Sequence, residues 1–154
     1  MANPIHAGTA PMSGTTHRIS SPSYQAYQIL HWGFVAAPLI AGIDKFVHLL
    51  VNWDQYLTPL VPRLTGIPAH TFMSIVGVIE IIAALLVAWK PRIGAYVVAL
   101  WLAGIIVNLL LVPGYYDVAL RDFGLFLGAL ALGRLSQDFD GSHITANTET
   151  TTPY

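Results

Sequence analysis

Residues 70–89, HTFMSIVGVIEIIAALLVAW, form an apolar run in which Glu80 is the only charged residue. An α-helix of this length rises about 30 Å, which matches the hydrocarbon core of a bilayer. A charge at the centre of a membrane helix costs on the order of 2.5–3.5 kcal/mol on insertion scales, so such a side chain usually faces the interior of a bundle. This stretch therefore predicts a membrane-spanning helix with a polar group turned inward.

The rest of the chain has the composition of a membrane protein. Of its 154 residues, 55% are hydrophobic and 10% are charged, whereas soluble domains are about 25% charged. Three further apolar stretches, 27–51, 93–112 and 116–135, are long enough to span a bilayer. The turns after residues 89 and 112 are short, and short turns make successive helices antiparallel neighbours. We therefore predict an all-α integral membrane protein, an antiparallel four-transmembrane-helix bundle.

The predicted transmembrane domain covers residues 25–135. A polar N-terminal tail, 1–24, precedes it, and a polar C-terminal tail, 136–154, follows it. The connection 52–69 contains three prolines and is predicted to be an interfacial loop with one helical turn. We expect His70 to cap the second span.

The basic residues predict an orientation. Arg63 alone falls on one side of the four-span arrangement, and four basic residues fall on the other: Arg18, Lys90, Arg92 and Arg134. Because basic residues accumulate on the cytoplasmic side, both termini are expected to be cytoplasmic.

Polar side chains within the spans define a candidate site. Glu80 is expected near the midplane of the second span, and the other ionisable groups are expected roughly 8–10 Å from the outer ends of the first and fourth spans. We interpret seven residues as candidates for ligand binding or proton handling: Glu80, Lys45, Arg121, Asp44, Asp122, Asn108 and His48.

Small residues predict which faces turn inward, because they allow membrane helices to approach closely. Adjacent residues lie about 100° apart on a helix, so only one residue of the pair Asp44 and Lys45 is expected to be central. The predicted inward faces are Gly33, Ala37 and Ala41 with Asp44 or Lys45 and with His48; Gly77, Glu80 and Ala84; either Ala95, Ala99 and Ala103 or Gly104 and Asn108; and Asp117, Arg121, Gly124 and Gly128.

Two interpretations of the charges remain open. In the first they are structural pairs, Lys45 with Asp122 and Asp44 with Arg121, and Glu80 is a protonated acid. In the second, Lys45 or Arg121 extends inward to Glu80, or Glu80 serves a bound ligand or a proton.

The sequence excludes several kinds of chemistry. With no cysteine, the chain has no disulfide, no cysteine-ligated iron–sulfur cluster and no thioether-attached haem. A formal net charge of −1 gives no indication of a nucleic-acid partner. The sequence also lacks metal-ligand spacing, a phosphate-binding loop and a nucleophile–base motif. We therefore expect no metal site and no catalytic centre on this chain alone.

Three short motifs resemble the DoxX-like family of small bacterial membrane proteins. They are GIDKF at 42–46 with Trp53 and Tyr56 after it, Gly77-x-x-Glu80 in the second span, and LRDFGL at 120–125. The chain has His31 and Trp32 where the family often has an arginine. The resemblance implies a four-helix protein of the bacterial plasma membrane, with relatives associated with thiosulfate:quinone oxidoreduction or oxidative-stress complexes.

Three functions are compatible with these features. The first prediction is an accessory subunit of a larger respiratory, photosynthetic or other redox membrane complex, with the lipid bilayer and other membrane subunits as partners. The alternative is a quinone- or lipid-handling redox subunit of the thiosulfate:quinone oxidoreductase type, in which Glu80 and the Lys45/Arg121 pair line a pocket for a quinone headgroup. A second alternative is a small proton-coupled transporter.

Overall fold

The computed structural model describes residues 21–140, and every regular element in that range is a helix. Its four long helices are α1 (Pro22–Val47), α3 (Ala69–Trp89), α4 (Pro91–Leu110) and α5 (Tyr116–Asp140). A 3₁₀ helix (Trp53–Tyr56) and the short α2 (Leu60–Thr65) lie between α1 and α3. The predicted all-helical fold is confirmed. Most of both predicted tails, and Arg18, lie outside the described residues.

Caps and prolines set the ends of the helices. The Ser21 hydroxyl accepts a hydrogen bond from the Tyr24 N–H at 3.3 Å, and Pro22 occupies the first turn of α1, where a proline is well tolerated. Pro91 begins α4 and holds Lys90 at φ −134°, ψ 74°, outside the helical region. A single residue, Lys90, therefore separates α3 from α4.

The predicted span boundaries need correction. α1 begins at Pro22 and ends at Val47, instead of covering 27–51, and α5 continues to Asp140, past residue 135. The segment 52–69 contains two short helices and not one helical turn. Hydropathy marks the apolar part of a helix, whereas caps and hydrogen bonds determine where the helix ends.

Three helices are long and apolar enough to cross a membrane: α1, α3 and α4. Large apolar side chains on their surfaces are exposed, including Ile29, Leu85 and Leu100. α5 is equally long but carries charged residues along its length, and it is not among the three. The prediction of a fourth span is therefore not confirmed.

The long helices pack in a ring. α1 lies along α3, α4 lies along α5, and less extensive contacts join α3 to α4 and α1 to α5. The main core includes the fully buried side chains of Val87, Ala95, Ala129 and Leu132. A smaller cluster of Leu57, Met73 and Val76 lies where the segment after α1 covers α3, with Trp53 and Trp101 packed against it.

Two glycines bring α1 and α3 into contact. A Cβ on Gly42 would lie 2.7 Å from the Gly77 carbonyl oxygen and 2.9 Å from Ile81 Cγ1. A Cβ on Gly77 would lie 2.8 Å from the Gly42 carbonyl oxygen. The two backbones therefore touch, which is the packing that small residues allow in membrane helices.

Replacing Gly42 with alanine should destabilise the protein by about 1–3 kcal/mol, because the added methyl group overpacks the α1–α3 contact against backbone atoms. The matched control is Gly33→Ala on the same helix, where an added Cβ meets nothing within 4 Å. Thermal unfolding in detergent should give a lower Tm for the first variant and an unchanged or higher Tm for the second. Equal melting temperatures would contradict the close contact.

Candidate functional site

A buried ion pair joins α1 to α3. Lys45 Nζ donates a hydrogen bond to Glu80 Oε2 at 2.6 Å, and the two side chains are 3% and 9% exposed. The pair lies beside the glycine contact, since a Cβ on Gly77 would be 3.1 Å from Lys45 Cβ. Among the alternatives left open for Glu80, the structure shows the one in which Lys45 extends inward to the Glu80 carboxylate.

An indole ring covers the ammonium group. Lys45 Nζ lies 3.7 Å from the centroid of the Trp53 ring, which comes from the 3₁₀ helix. The geometry is that of a cation–π contact, in which the negative face of the ring attracts the cation. Lys45 is therefore held between a carboxylate and an aromatic face.

Asp44 binds the segment that connects α1 to α3 and holds it against the end of α1. Its Oδ2 accepts a hydrogen bond from Trp53 Nε1 at 2.7 Å, and its Oδ1 accepts from the backbone N–H groups of Leu49 and Leu50, each at 2.9 Å. His48 adopts a left-handed conformation with φ 54°, which ends α1 and turns the following amides toward the carboxylate. The Asp44 carboxylate thus accepts hydrogen bonds from the N–H groups of Leu49, Leu50 and Trp53.

Both Asp44 and Lys45 are buried, at 3% exposure each, but only Lys45 lies in the contact between the long helices, so the expectation that one of the two would be central is confirmed. Their side chains do diverge around the helix. Lys45 faces α3, whereas Asp44 is covered by the chain that folds back after Val47. The prediction considered only the helices and not the segment between them.

Trp101 on α4 approaches the pair from another helix. Its indole Nε1 is buried and has no hydrogen-bond partner among the described residues, and it lies near the Glu80 carboxylate. A buried indole N–H normally finds an acceptor, and Glu80 is the nearby carboxylate on α3.

Arg121 and Asp122 interact with each other and not with α1. Arg121 Nε lies 3.3 Å from Asp122 Oδ1, with the Arg121 side chain 68% exposed and the Asp122 side chain 9% exposed. The predicted pairs Lys45–Asp122 and Asp44–Arg121 are therefore wrong. Adjacent residues diverge by about 100°, and α5 is rotated so that Asp122 turns inward.

Asn108 fixes the connecting segment to α4. Its Nδ2 donates to the Tyr56 carbonyl oxygen at 2.7 Å, and its Oδ1 accepts from the Thr58 N–H at 3.0 Å. The side-chain amide therefore binds one backbone acceptor and one backbone donor. This arrangement positions the segment that carries Trp53.

Two histidines lie outside the buried pair. The His48 and His70 rings stack at a centroid distance of 5.3 Å, and His70 Nδ1 lies 3.8 Å from Asp54 Oδ2. Within the described residues, no three His, Asp or Glu side chains are placed to hold a metal ion. The capping role predicted for His70 is wrong: Pro68 is the residue at the start of α3, and no side chain caps it.

The predicted inward faces are correct on α3, where Gly77, Glu80 and Ala84 are all buried. On α4, Ala95 and Ala99 are buried and Ala103 is partly buried. The predicted faces of α1 and α5 are wrong over most of their length, since Gly33, Ala37 and His48 are exposed, as are Asp117, Arg121 and Gly124. Ala41 and Gly128 are partly buried, and Gly128 packs against Phe34 of α1. α5 instead buries Ala119, Asp122, Ala129 and Leu132. Where small and charged residues occur on several sides of a helix, residue spacing alone cannot identify the side that faces the neighbouring helices.

The sequence interpretation missed the roles of both tryptophans. It included Trp53 only as part of a family motif and gave Trp101 no role. The available signal was chemical, because an indole N–H inside an apolar bundle needs an acceptor, and carboxylates are the strongest acceptors in this chain.

A shallow apolar recess adjoins the site between α3 and α4. Its volume is about 190 Å³, and it is lined by Ile79, Ala83, Val97, Leu100, Trp101 and Gly104. Trp101 therefore lines this recess and also lies near Glu80.

No family model, curated protein or solved structure matches the chain. The DoxX-like resemblance of its three motifs stays a prediction.

Replacing one member of the Lys45–Glu80 pair should destabilise the protein by about 3–5 kcal/mol, because the remaining charge stays buried without its partner. Lys45→Met and Glu80→Leu should each lower the Tm strongly in detergent. The double variant should recover most of the loss, because replacing both partners with apolar side chains leaves no uncompensated charge. Additive effects of the two changes would contradict the pairing.

Proposed function

We propose that the protein is an integral membrane protein in which α1, α3, α4 and α5 form an antiparallel four-helix bundle, and that it serves as a non-catalytic accessory subunit of a larger membrane complex. One observation carries the proposal. The buried ionisable side chains among the described residues, Asp44, Lys45, Glu80 and Asp122, all have partners inside the protein. The polar interior is thus closed, and interactions with other molecules fall to the apolar exterior.

The distribution of charge on α5 supports its inclusion as a fourth span. Asp122 is buried, so it does not meet lipid. Four other charged residues of the helix lie toward its two ends. Asp117 and Arg121 lie toward the N-terminal end, and Arg134 and Asp138 lie toward the C-terminal end. Between Arg121 and Arg134 the helix rises roughly 20 Å, and long basic side chains can carry their charges toward an interface.

The exposed basic residues support the proposed orientation. Lys90 and Arg92 lie at the turn between α3 and α4. Arg134 is at the same end of the molecule, because the adjacent Gly133 packs against Tyr96, one turn into α4 from Arg92. Arg63 lies on α2, beyond the other end of α3, and the exposed Arg121 lies near that end on α5, so three basic residues stand against two. The positive-inside rule then favours cytoplasmic termini, in the bacterial plasma membrane that the motif resemblance implies.

A structural role for the buried pair fits its geometry. Glu80 is engaged by Lys45, and Lys45 is covered by Trp53. The adjoining recess is lined by apolar side chains. These contacts join α1, α3 and the connecting segment, and they support a role in holding the bundle together.

Extraction of the chain in mild detergent should recover other membrane proteins in fixed stoichiometry. The motif resemblance makes a redox complex the first class to examine. The measurement is the mass and composition of the purified particle, with a harsher detergent that separates subunits as the control. A monodisperse particle that contains only this chain would overturn the accessory-subunit proposal.

A quinone-handling role is the second candidate, and the recess beside Trp101 is the observation that favours it. An engineered apolar cavity of similar size binds benzene, so the recess has room for one aromatic ring. Trp101 would place such a ring one side chain away from the Lys45–Glu80 pair.

Filling the recess should abolish quinone binding if this second role is correct. Gly104→Leu places a side chain in the recess, and an added Cβ there meets nothing within 4 Å, so the fold should tolerate it. Gly33→Leu is the matched control, because Gly33 is equally open but lies on α1. Titration with a short-chain quinone should show loss of binding in the first variant only. Equal binding by both variants would exclude the recess as the site.

A further inference from the structure

Arg121 is a cation with unused donors on the outside of the protein. Its side chain is 68% exposed, and its contact with Asp122 engages Nε. Within residues 21–140, the two terminal amino groups of its guanidinium make no hydrogen bond or ion pair. A guanidinium has five N–H donors and matches phosphate oxygens well.

The position of Arg121 on α5 determines the depth of this charge. Arg121 follows Tyr116, the first residue of α5, by five residues, which is a rise of about 7.5 Å. Side chains on a helix lean toward its N-terminus, so Arg121 leans toward the nearby end of the helix. In the four-span arrangement its guanidinium therefore reaches the level of the lipid headgroups.

An apolar strip continues along α5 below this cation. Leu125 follows Arg121 by four residues, which places it one turn deeper on the same side of the helix, and it is 42% exposed. Gly124 is also exposed, and a Cβ there would meet nothing within 4 Å. The absence of a side chain at Gly124 leaves a notch in the strip one turn deeper than Arg121.

We propose that Arg121 binds the phosphate of an anionic phospholipid whose acyl chain lies along α5 over Gly124. The inference rests on the proposed membrane-spanning position of α5. One lipid molecule supplies both an anion at the depth of Arg121 and an apolar chain that fits the strip below it. The positive end of the α5 dipole adds to the attraction for the anion.

Asp117 opposes the binding. It lies one turn closer to the end of α5 and is exposed, so it repels an anion that approaches Arg121. The site therefore has one cation that attracts the phosphate and two carboxylates that weaken its binding, the exposed Asp117 and the inward-facing Asp122 that contacts Arg121 Nε. Arg121 and Asp117 can each be changed without touching the Lys45–Glu80 pair.

The test compares the binding of phosphatidylglycerol and phosphatidylcholine to the purified full-length chain by native mass spectrometry. Arg121→Gln should reduce the preference for phosphatidylglycerol about fivefold, the effect of one basic residue near a lipid surface. Asp117→Asn should raise that preference. The matched control is Arg63→Gln, which removes an exposed arginine from α2 and should leave the preference unchanged.

Two outcomes would overturn the proposed lipid site. One is an unchanged preference in Arg121→Gln. The other is an equal reduction in Arg121→Gln and Arg63→Gln, which would indicate general attraction to positive charge. Resistance of the wild-type protein to alkaline extraction from membranes tests the membrane-spanning position separately. A protein that stays in the membrane but shows no effect of Arg121 contradicts the lipid site alone.

Discussion

A lysine ammonium cannot be stable inside an apolar helix bundle unless a counter-charge compensates its lost hydration. Glu80 provides that charge at 2.6 Å from Lys45, and the neighbouring residues make this contact possible. Gly42 and Gly77 let the backbones of α1 and α3 touch, which brings the two side chains within reach. The Trp53 ring then covers the remaining side of the ammonium.

The segment between α1 and α3 follows from the same requirement. Trp53 can cover Lys45 only if the chain folds back over the end of α1, and two polar side chains hold it there. Asp44 binds the segment from α1, and Asn108 binds it from α4. The polar groups of the bundle are therefore used in holding its parts together, which leaves a largely apolar exterior.

Sequence reasoning was most accurate on α3. The uniform hydropathy of this helix leaves Glu80 as its single Asp, Glu, Lys or Arg residue, and Gly77 and Ala84 share the face of that carboxylate. It was least accurate on α5, where small and charged residues occur on more than one stripe. The exposed stripe containing Arg121 and Gly124 has the same spacing as a packing face, so spacing did not distinguish the outside of the helix from the inside.

By itself, the sequence determined that the chain is helical, that it contains helices apolar enough to cross a membrane, three of them within residues 21–140, and that Glu80 needs compensation. These properties follow from composition and from local hydrogen bonding along the chain. Only the tertiary structure decided that Lys45 compensates Glu80 and that Asp122 pairs with its neighbour Arg121. The partner of a buried charge depends on the rotation and relative height of packed helices, and a change of one residue in register turns a side chain by about 100°.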